Sequence, residues 1–138
     1  MSSNSSRNRT FDTGQDPLVA QGFSKWRAAM RWQREIDAAL APLDLTHTQY
    51  LVLWAGAAAQ QAARDAVAQR VIAETAGLDP ATTSQIVRKL ESRGLLDRKP
   101  TSGDARAWRV MVSTRGAELL RRAAPFVRAA ARRTQKSA

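Results

Sequence analysis

The stretch from Asp79 to Thr114, DPATTSQIVRKLESRGLLDRKPTSGDARAWRVMVST, constrains the fold more tightly than any other part of the chain. It reads as a short helix, a glycine stop and a basic strand-loop-strand. Asp79 carries a side-chain oxygen that accepts from the orphan amides of a helix start, and Pro80 has the fixed φ that suits the first helical position. Leu78, Thr83, Ile86, Val87 and Leu90 recur at three- and four-residue intervals and are expected to face inward. That leaves Ala81, Thr82, Ser84, Gln85, Arg88 and Lys89 on an outer face that is small, polar and basic. Gly94 stands where the helix must end, because glycine takes the left-handed cap conformation without a Cβ penalty. Two β-prone runs, Leu95 to Lys99 and Ala107 to Val112, then flank a loop containing Pro100, Ser102 and Gly103.

Upstream, residues 68 to 77 predict a short helix with Val71, Ile72 and Thr75 inward and Gly77 closing it. A short helix, a Gly-Leu turn and a second helix make a helix-turn-helix, whose second helix enters the major groove of DNA. Two helices with a tight turn occur in any all-α domain, so the hairpin is what strengthens the reading. Arg98 and Lys99 leave its first strand, Asp104 and Arg106 stand at its loop end, and Trp108, Val110 and Val112 alternate on one face of the second strand. A basic hairpin tip beside such a motif suits a phosphate track or the adjacent minor groove, where the negative potential favours arginine.

Charge points the same way. The 138 residues carry 22 Lys+Arg against 12 Asp+Glu, a formal net charge of +10. Residues 1 to 63 hold six basic and five acidic side chains, whereas residues 64 to 138 hold sixteen and seven. The excess therefore travels with the reading unit. Charge alone sets only the class of partner, since nucleic acid and anionic membranes both attract a basic surface, and a solvated basic face needs no partner at all.

Cysteine is absent, which excludes disulfides, thiolate metal sites and cysteine-based redox sensing. One histidine and scattered carboxylates offer no nucleophile-base pair or metal cluster, so neither an enzyme nor a cofactor is expected. No apolar run approaches the roughly 20 residues of a membrane span, and the N-terminus lacks a signal-peptide core, so a cytoplasmic protein is expected.

Residues 1 to 17, rich in Ser, Asn and Arg, read as a disordered arm, in which Arg7 and Arg9 are within reach of phosphate. Residues 18 to 138 read as one domain. From Gln21 the pattern turns helical: Phe23, Trp26, Met30 and Gln33 form one stripe and Trp32, Ile36, Leu40 and Leu43 an adjacent one, until Pro42 ends the helix by disfavouring α geometry at the residue before it. So wide an apolar face suggests a partner chain. Thr46 and Gln49 have the spacing of a capping box. The helix they open is expected to use Tyr50, Leu51, Leu53 and Trp54 as its apolar side and to fade over residues 57 to 63. Thr114 is expected to cap a last helix with Leu119, Leu120, Ala123, Val127, Ala130 and Ala131 inward and with Pro125 bending it.

LTHTQYLVL, AETAGLDPATTSQIVRKLESRGLLDR and DARAWRVMVSTRG, in this order between about Phe23 and Val127, resemble the MarR family of bacterial winged-helix transcriptional regulators. The resemblance implies a mainly α fold with a small antiparallel β-hairpin wing. Its winged helix-turn-helix spans about 45 to 114 and is flanked by N- and C-terminal dimerisation helices at about 21 to 42 and 114 to 134. It also implies a homodimeric repressor of a pseudo-palindromic operator in double-stranded DNA. Carried over by position, Ser84, Gln85 and Arg88 approach base edges and Arg106 enters the minor groove, with Thr82, Lys89, Arg98 and Arg109 completing the DNA-binding set.

Many family members answer to small aromatic ligands bound between the dimerisation and DNA-binding parts. Here Trp26, Arg27, Arg31, His47 and Trp54, with Trp32 nearby, are the candidates for an aromatic carboxylate, although aromatic residues at helical spacing are ordinarily core, and a histidine at a helix start is ordinarily surface. The family pattern has a further C-terminal helix beyond the last residues here, so pairing is expected either to be weaker or to lean on the first long helix. Without cysteine, a signal would act by non-covalent binding or through expression level. The alternative in another class is a sequence-neutral basic DNA-coating protein of the nucleoid type, which the charge explains equally well.

Overall fold

The computed structural model describes residues 16–101 and 104–136, and the side chains of residues 104–106 and 136 lie outside the description. Among the described residues five α-helices and three strands follow one another as α1 (Pro17–Leu40), α2 (His47–Ala63), β1 (Val67–Ala68), α3 (Gln69–Ala76), α4 (Pro80–Ser92), β2 (Leu96–Thr101), β3 (Asp104–Val112) and α5 (Thr114–Lys136). The fold is mainly α with a small antiparallel sheet in the order β1-β3-β2.

Helix α1 starts earlier than Gln21. Asp16 accepts from the Leu18 amide at 2.9 Å and Pro17 takes the first helical position, so the two last residues assigned to the arm are the helix start. Residues 1–15, with Arg7 and Arg9, lie outside the described residues. At the other end Pro42 does not expel Ala41 from helical geometry, for Ala41 keeps φ −53 and ψ −42. The chain tightens instead into a 3-10 turn, Ala41–Leu43, and reverses at Asp44, whose φ of 54 is left-handed. Asp37 Oδ1 accepts from the His47 amide at 2.7 Å and ties this corner to the start of α2. There the capping box is complete, Thr46 Oγ taking the Gln49 amide and Gln49 Oε1 taking the Thr46 amide.

Helix α2 does not fade over its alanines. It runs to Ala63 and closes on Arg64, another left-handed residue, whose amide donates to Gln60 O at 2.7 Å. Its buried side is Gln49, Val52, Leu53, Ala55 and Gly56, while Trp54 is exposed. Small residues win the inward position because Val112 and Ile72 come to ordinary van der Waals distance of where a Cβ on Gly56 would be. In α3, likewise, Ala73 is inward and Thr75 outward, its hydroxyl donating to Val71 O at 2.8 Å.

The core joins Ile36 and Leu40 of α1, Val52 and Leu53 of α2, Ile72 of α3, Val87 and Leu90 of α4, Leu96 and Val110 of the sheet, and Ala123 and Ala130 of α5, all at most 1% exposed. Each large side chain among them contributes roughly 1.5–3 kcal/mol by leaving water. Helix α5 packs chiefly on α1, with Arg133 Nε bonded to Glu35 Oε2 at 2.9 Å, and remains helical through Pro125. In contrast, residues 16–29, the N-terminal half of α1, are exposed throughout.

Both strands of the hairpin exceed their expected lengths, and Pro100 belongs to β2. This is tolerable because β2 is a sheet edge and the register slips just after Pro100. The two-residue β1 is too short to leave a periodic signal in the sequence; it pairs Val67 with Val110 and Ala68 with Arg109.

The cap of α5 is Ser113 and not Thr114. Ser113 Oγ accepts from the Gly116 amide at 3.0 Å and donates to Gly94 O at 2.7 Å, and its amide donates to Leu95 O at 3.1 Å. The first turn of α5 thus lies directly on the end of the α4–β2 turn. A Cβ on Gly116 would collide with the Leu95 carbonyl oxygen and stand 2.9 Å from Val112 Cγ1. Because those obstacles include backbone, Gly116→Ala should destabilise the domain by about 2 kcal/mol despite the higher helix propensity of alanine. Urea denaturation of the two proteins gives the difference.

Candidate nucleic-acid interface

Helix α4 is fastened at both ends and bare along one side. At its start Asp79 Oδ1 accepts from the Thr82 amide at 2.8 Å and Asp79 Oδ2 from the Thr82 hydroxyl at 2.6 Å. That hydroxyl, followed by the amide, holds the Asp79 carboxyl below the usual carboxylate range. At its end Arg93 donates from Nη1 to Asp44 O at 2.7 Å and reaches Gln49 Oε1 at 3.4 Å, which references the helix to the corner between α1 and α2. Gly94, with φ 71, turns the chain into β2.

Thr83, Val87 and Leu90 are buried, Ile86 is half-buried, and Gln85, Arg88 and Lys89 are exposed, so the inner and outer faces of α4 fall as their spacing predicts. Two of the polar candidates are engaged within the protein. Thr82 belongs to the cap, and Ser84 Oγ accepts from Arg88 Nη2 at 2.9 Å. That bond aims the Arg88 guanidinium along the outer face and leaves its remaining donors available. The surface so formed offers an amide, a planar fork and an ammonium within two turns of helix, a set able to meet base edges and phosphates.

On the wing, the pleat separates Arg98 from Lys99. Lys99 is exposed and pairs in register with Arg109, whose Nη1 donates to Ala66 O at 2.8 Å across to the loop before β1. Arg98 shares the face of buried Leu96 and makes its contacts with other residues of the chain. Its Cζ lies 3.9 Å from the centre of the Trp108 ring and its Nη2 lies 3.5 Å from Glu91 Oε1 in the last turn of α4. Arg106 belongs to β3 by its backbone, and its side chain lies outside the described residues.

The five residues considered for a ligand are not gathered in one cavity. Trp26 lines a shallow hollow with Val19, Gly22 and Phe23; Arg27, exposed, and Arg31, half-buried, follow it on α1; Trp54 is exposed on α2. His47 opens α2 half-buried, and burial lowers its pKa below the ordinary value against the opposing pull of Asp37. Of the residues that sequence reasoning passed over, Arg93, Glu91, Gln60 and Ser113 do most to hold the interface. Arg93 alone carried a signal, a cation at a helix end beside glycine. Gln60 Oε1 accepts from the Val112 amide at 2.8 Å, a pairing between residues too far apart in the chain to suggest itself.

A helix-turn-helix whose second helix presents polar and basic side chains, joined to a hairpin braced against that helix, defines a winged-helix DNA-binding protein. Residues 43–107 match the sequence model of the MarR family. The HTH-type transcriptional regulator YdcH of Bacillus subtilis is 32% identical over 111 residues, covering 80% of this chain and 75% of its own. Among solved structures, a MarR family transcriptional regulator from Rhodococcus sp. RHA1 superposes with a TM-score of 0.75 at 29% identity, over 86% of this chain and 81% of that one. CouR from Rhodococcus jostii RHA1, solved bound to p-coumaroyl-CoA, gives 0.71 at 30% identity over 82% and 75% of the two chains. The chain belongs to the MarR family of DNA-binding transcriptional regulators. Among the described residues no helix is long and apolar enough to cross a membrane.

Proposed function

We propose that the chain is a sequence-specific repressor that grips a pseudo-palindromic operator as a homodimer. The observation that carries the reading is the outer face of α4, where Gln85, Arg88 and Lys89 are exposed on a helix fixed at both ends. Gln85 can pair with both polar atoms of an adenine edge and Arg88 with those of a guanine edge, whereas Lys89, Lys99 and Arg109 neutralise phosphate. Arg106, near the wing tip, is the residue for the adjacent minor groove. A dimer lying across a promoter excludes polymerase, and such a regulator meets its operator in the cytoplasm.

A second copy of the chain is the partner that the exposed half of α1 calls for. Phe23 and Trp26 are each 61% exposed, and Leu18 and Val19 extend the same apolar surface. An unsupported helix of this length is marginal in water, and a contiguous apolar face on it is covered in stable proteins. The sequence-neutral coating protein is not favoured, since membership of a family of transcriptional regulators goes with operator recognition.

Selection of binding sites from random duplex should return an inverted repeat with half-site centres roughly 10 base pairs apart or a multiple of that. Gln85→Ala should relax one position in each half-site by about 1–3 kcal/mol, while Lys89→Ala weakens every duplex alike. An unchanged preference in Gln85→Ala would move the reading face elsewhere, and equal retention of all duplexes by the native protein would restore the coating alternative.

Sedimentation should show a dimer, and Phe23→Glu combined with Trp26→Glu should give a monomer whose affinity for the full operator falls about a hundredfold or more, as the second half-site is no longer tethered. A variant that stays dimeric would remove α1 from the interface. Relief by a small aromatic ligand belongs to the same reading, supported by the p-coumaroyl-CoA in CouR. Phenolic acids and their CoA esters should raise the Tm and release DNA together; a series that moves neither excludes this part.

A further inference from the structure

We infer that Arg98 is the brace that sets the angle of the wing against the recognition helix, and that it does not itself touch DNA. The inference deepens the proposed function, because it rests on the wing meeting DNA. Position speaks first: Arg98 pairs in register with Val110, on the face of β2 that carries buried Leu96, and only 15% of its side chain is exposed. Its guanidinium is flanked on one side by the Trp108 ring at 3.9 Å and capped by Glu91 at 3.5 Å. The anion and the π face replace part of the hydration that this cation has lost, although its buried Nε makes no hydrogen bond.

The three residues come from three places that must hold one relative position. Glu91 belongs to the last turn of α4, Arg98 to β2 and Trp108 to β3. Trp108 also lines a hollow with Ala73 of α3 and with Pro80 and Thr83 in the first turn of α4. The ring thus borders the same hollow as the first turn of the recognition helix, while Arg98, stacked on it, reaches the last turn through Glu91. Arg106 precedes Trp108 by two residues on the tip side of β3, where the register shifts, so the angle of the hairpin at Trp108 sets where the Arg106 backbone is carried.

A phosphate contact and a brace make opposite demands on charge and shape. Lysine serves a phosphate nearly as well as arginine, yet it cannot lay a planar fork on an indole while meeting a carboxylate. Each phosphate contact also contributes about 0.9 to the slope of log affinity against log salt, whereas a brace contributes nothing to it.

The test uses the full chain with Arg98→Ala, Arg98→Lys and Glu91→Gln, read without and with operator duplex. In the free protein the Trp108 indole N–H resonance should shift in Arg98→Ala and Glu91→Gln. On DNA, Arg98→Ala should lose about tenfold in affinity, the loss expected when the wing holds its binding position only about a tenth of the time, at an unchanged salt slope, and should lose discrimination among flanking sequences while keeping base preference under α4. Arg98→Lys should fail to restore either. An unmoved indole resonance, rescue by lysine, or a slope lower by about 0.9 would each overturn the inference. Failure of the native protein to prefer any sequence would count against the proposed function, while the resonance in the free protein still judges the brace.

Discussion

The pair of bonds from Ser113 to the α4–β2 turn is the point on which the rest of the molecule hangs. Its hydroxyl donates to Gly94 O and its amide to Leu95 O, so the residue that ends the wing is bonded to the residues that begin it. The same hydroxyl accepts from Gly116 and starts α5. One serine thus ends the hairpin, opens the last helix and fixes the position of the α4 stop. Gly116 lets these elements approach to where no side chain fits, so the reading unit is joined directly to the start of α5.

From that joint the structure separates affinity from geometry among its basic residues. Lys89 and Arg88 stand on the surface of α4 and Lys99 on the outer face of the wing, while Arg93 and Arg98 have turned inward to hold backbone, carboxylate and indole. Arginines that look alike in a basic sequence therefore divide into those that face a polyanion and those that shape the surface offered to it. The net charge of +10 counts both kinds and overstates the former.

The parts of this arrangement that were legible in the sequence are those governed by neighbours in the chain. The Asp79-Pro80 start, the Thr46–Gln49 box and the left-handed Gly77 and Gly94 each depend on a few adjacent residues, and each stands where its chemistry puts it. What could not be read depends on residues brought together by folding. Strand β1 exists because β3 supplies an edge to it; Trp54 yields the inner face to Ala55 and Gly56 because Val112 and Ile72 approach there. Ser113 displaces Thr114 as the cap because Gly94 O is waiting for its hydroxyl. Arg98 looked like one more cation on a basic hairpin, and only the positions of Glu91 and Trp108 reveal how its charge is used.

The Ser113 joint also bears on how the chain assembles. Its bond to Gly94 spans 19 residues, whereas Arg93 to Asp44 spans 49 and Val112 to Gln60 spans 52. Chain entropy favours the shorter closure over the 49-residue one by about 0.8 kcal/mol. Recognition helix and hairpin can therefore close on themselves before they are fastened to α2 and to the corner behind it. In refolding of the full chain, contacts of such modest sequence separation carry the smaller closure cost, which gives the part of the molecule that reads DNA a head start over its fastening to the helices that carry it.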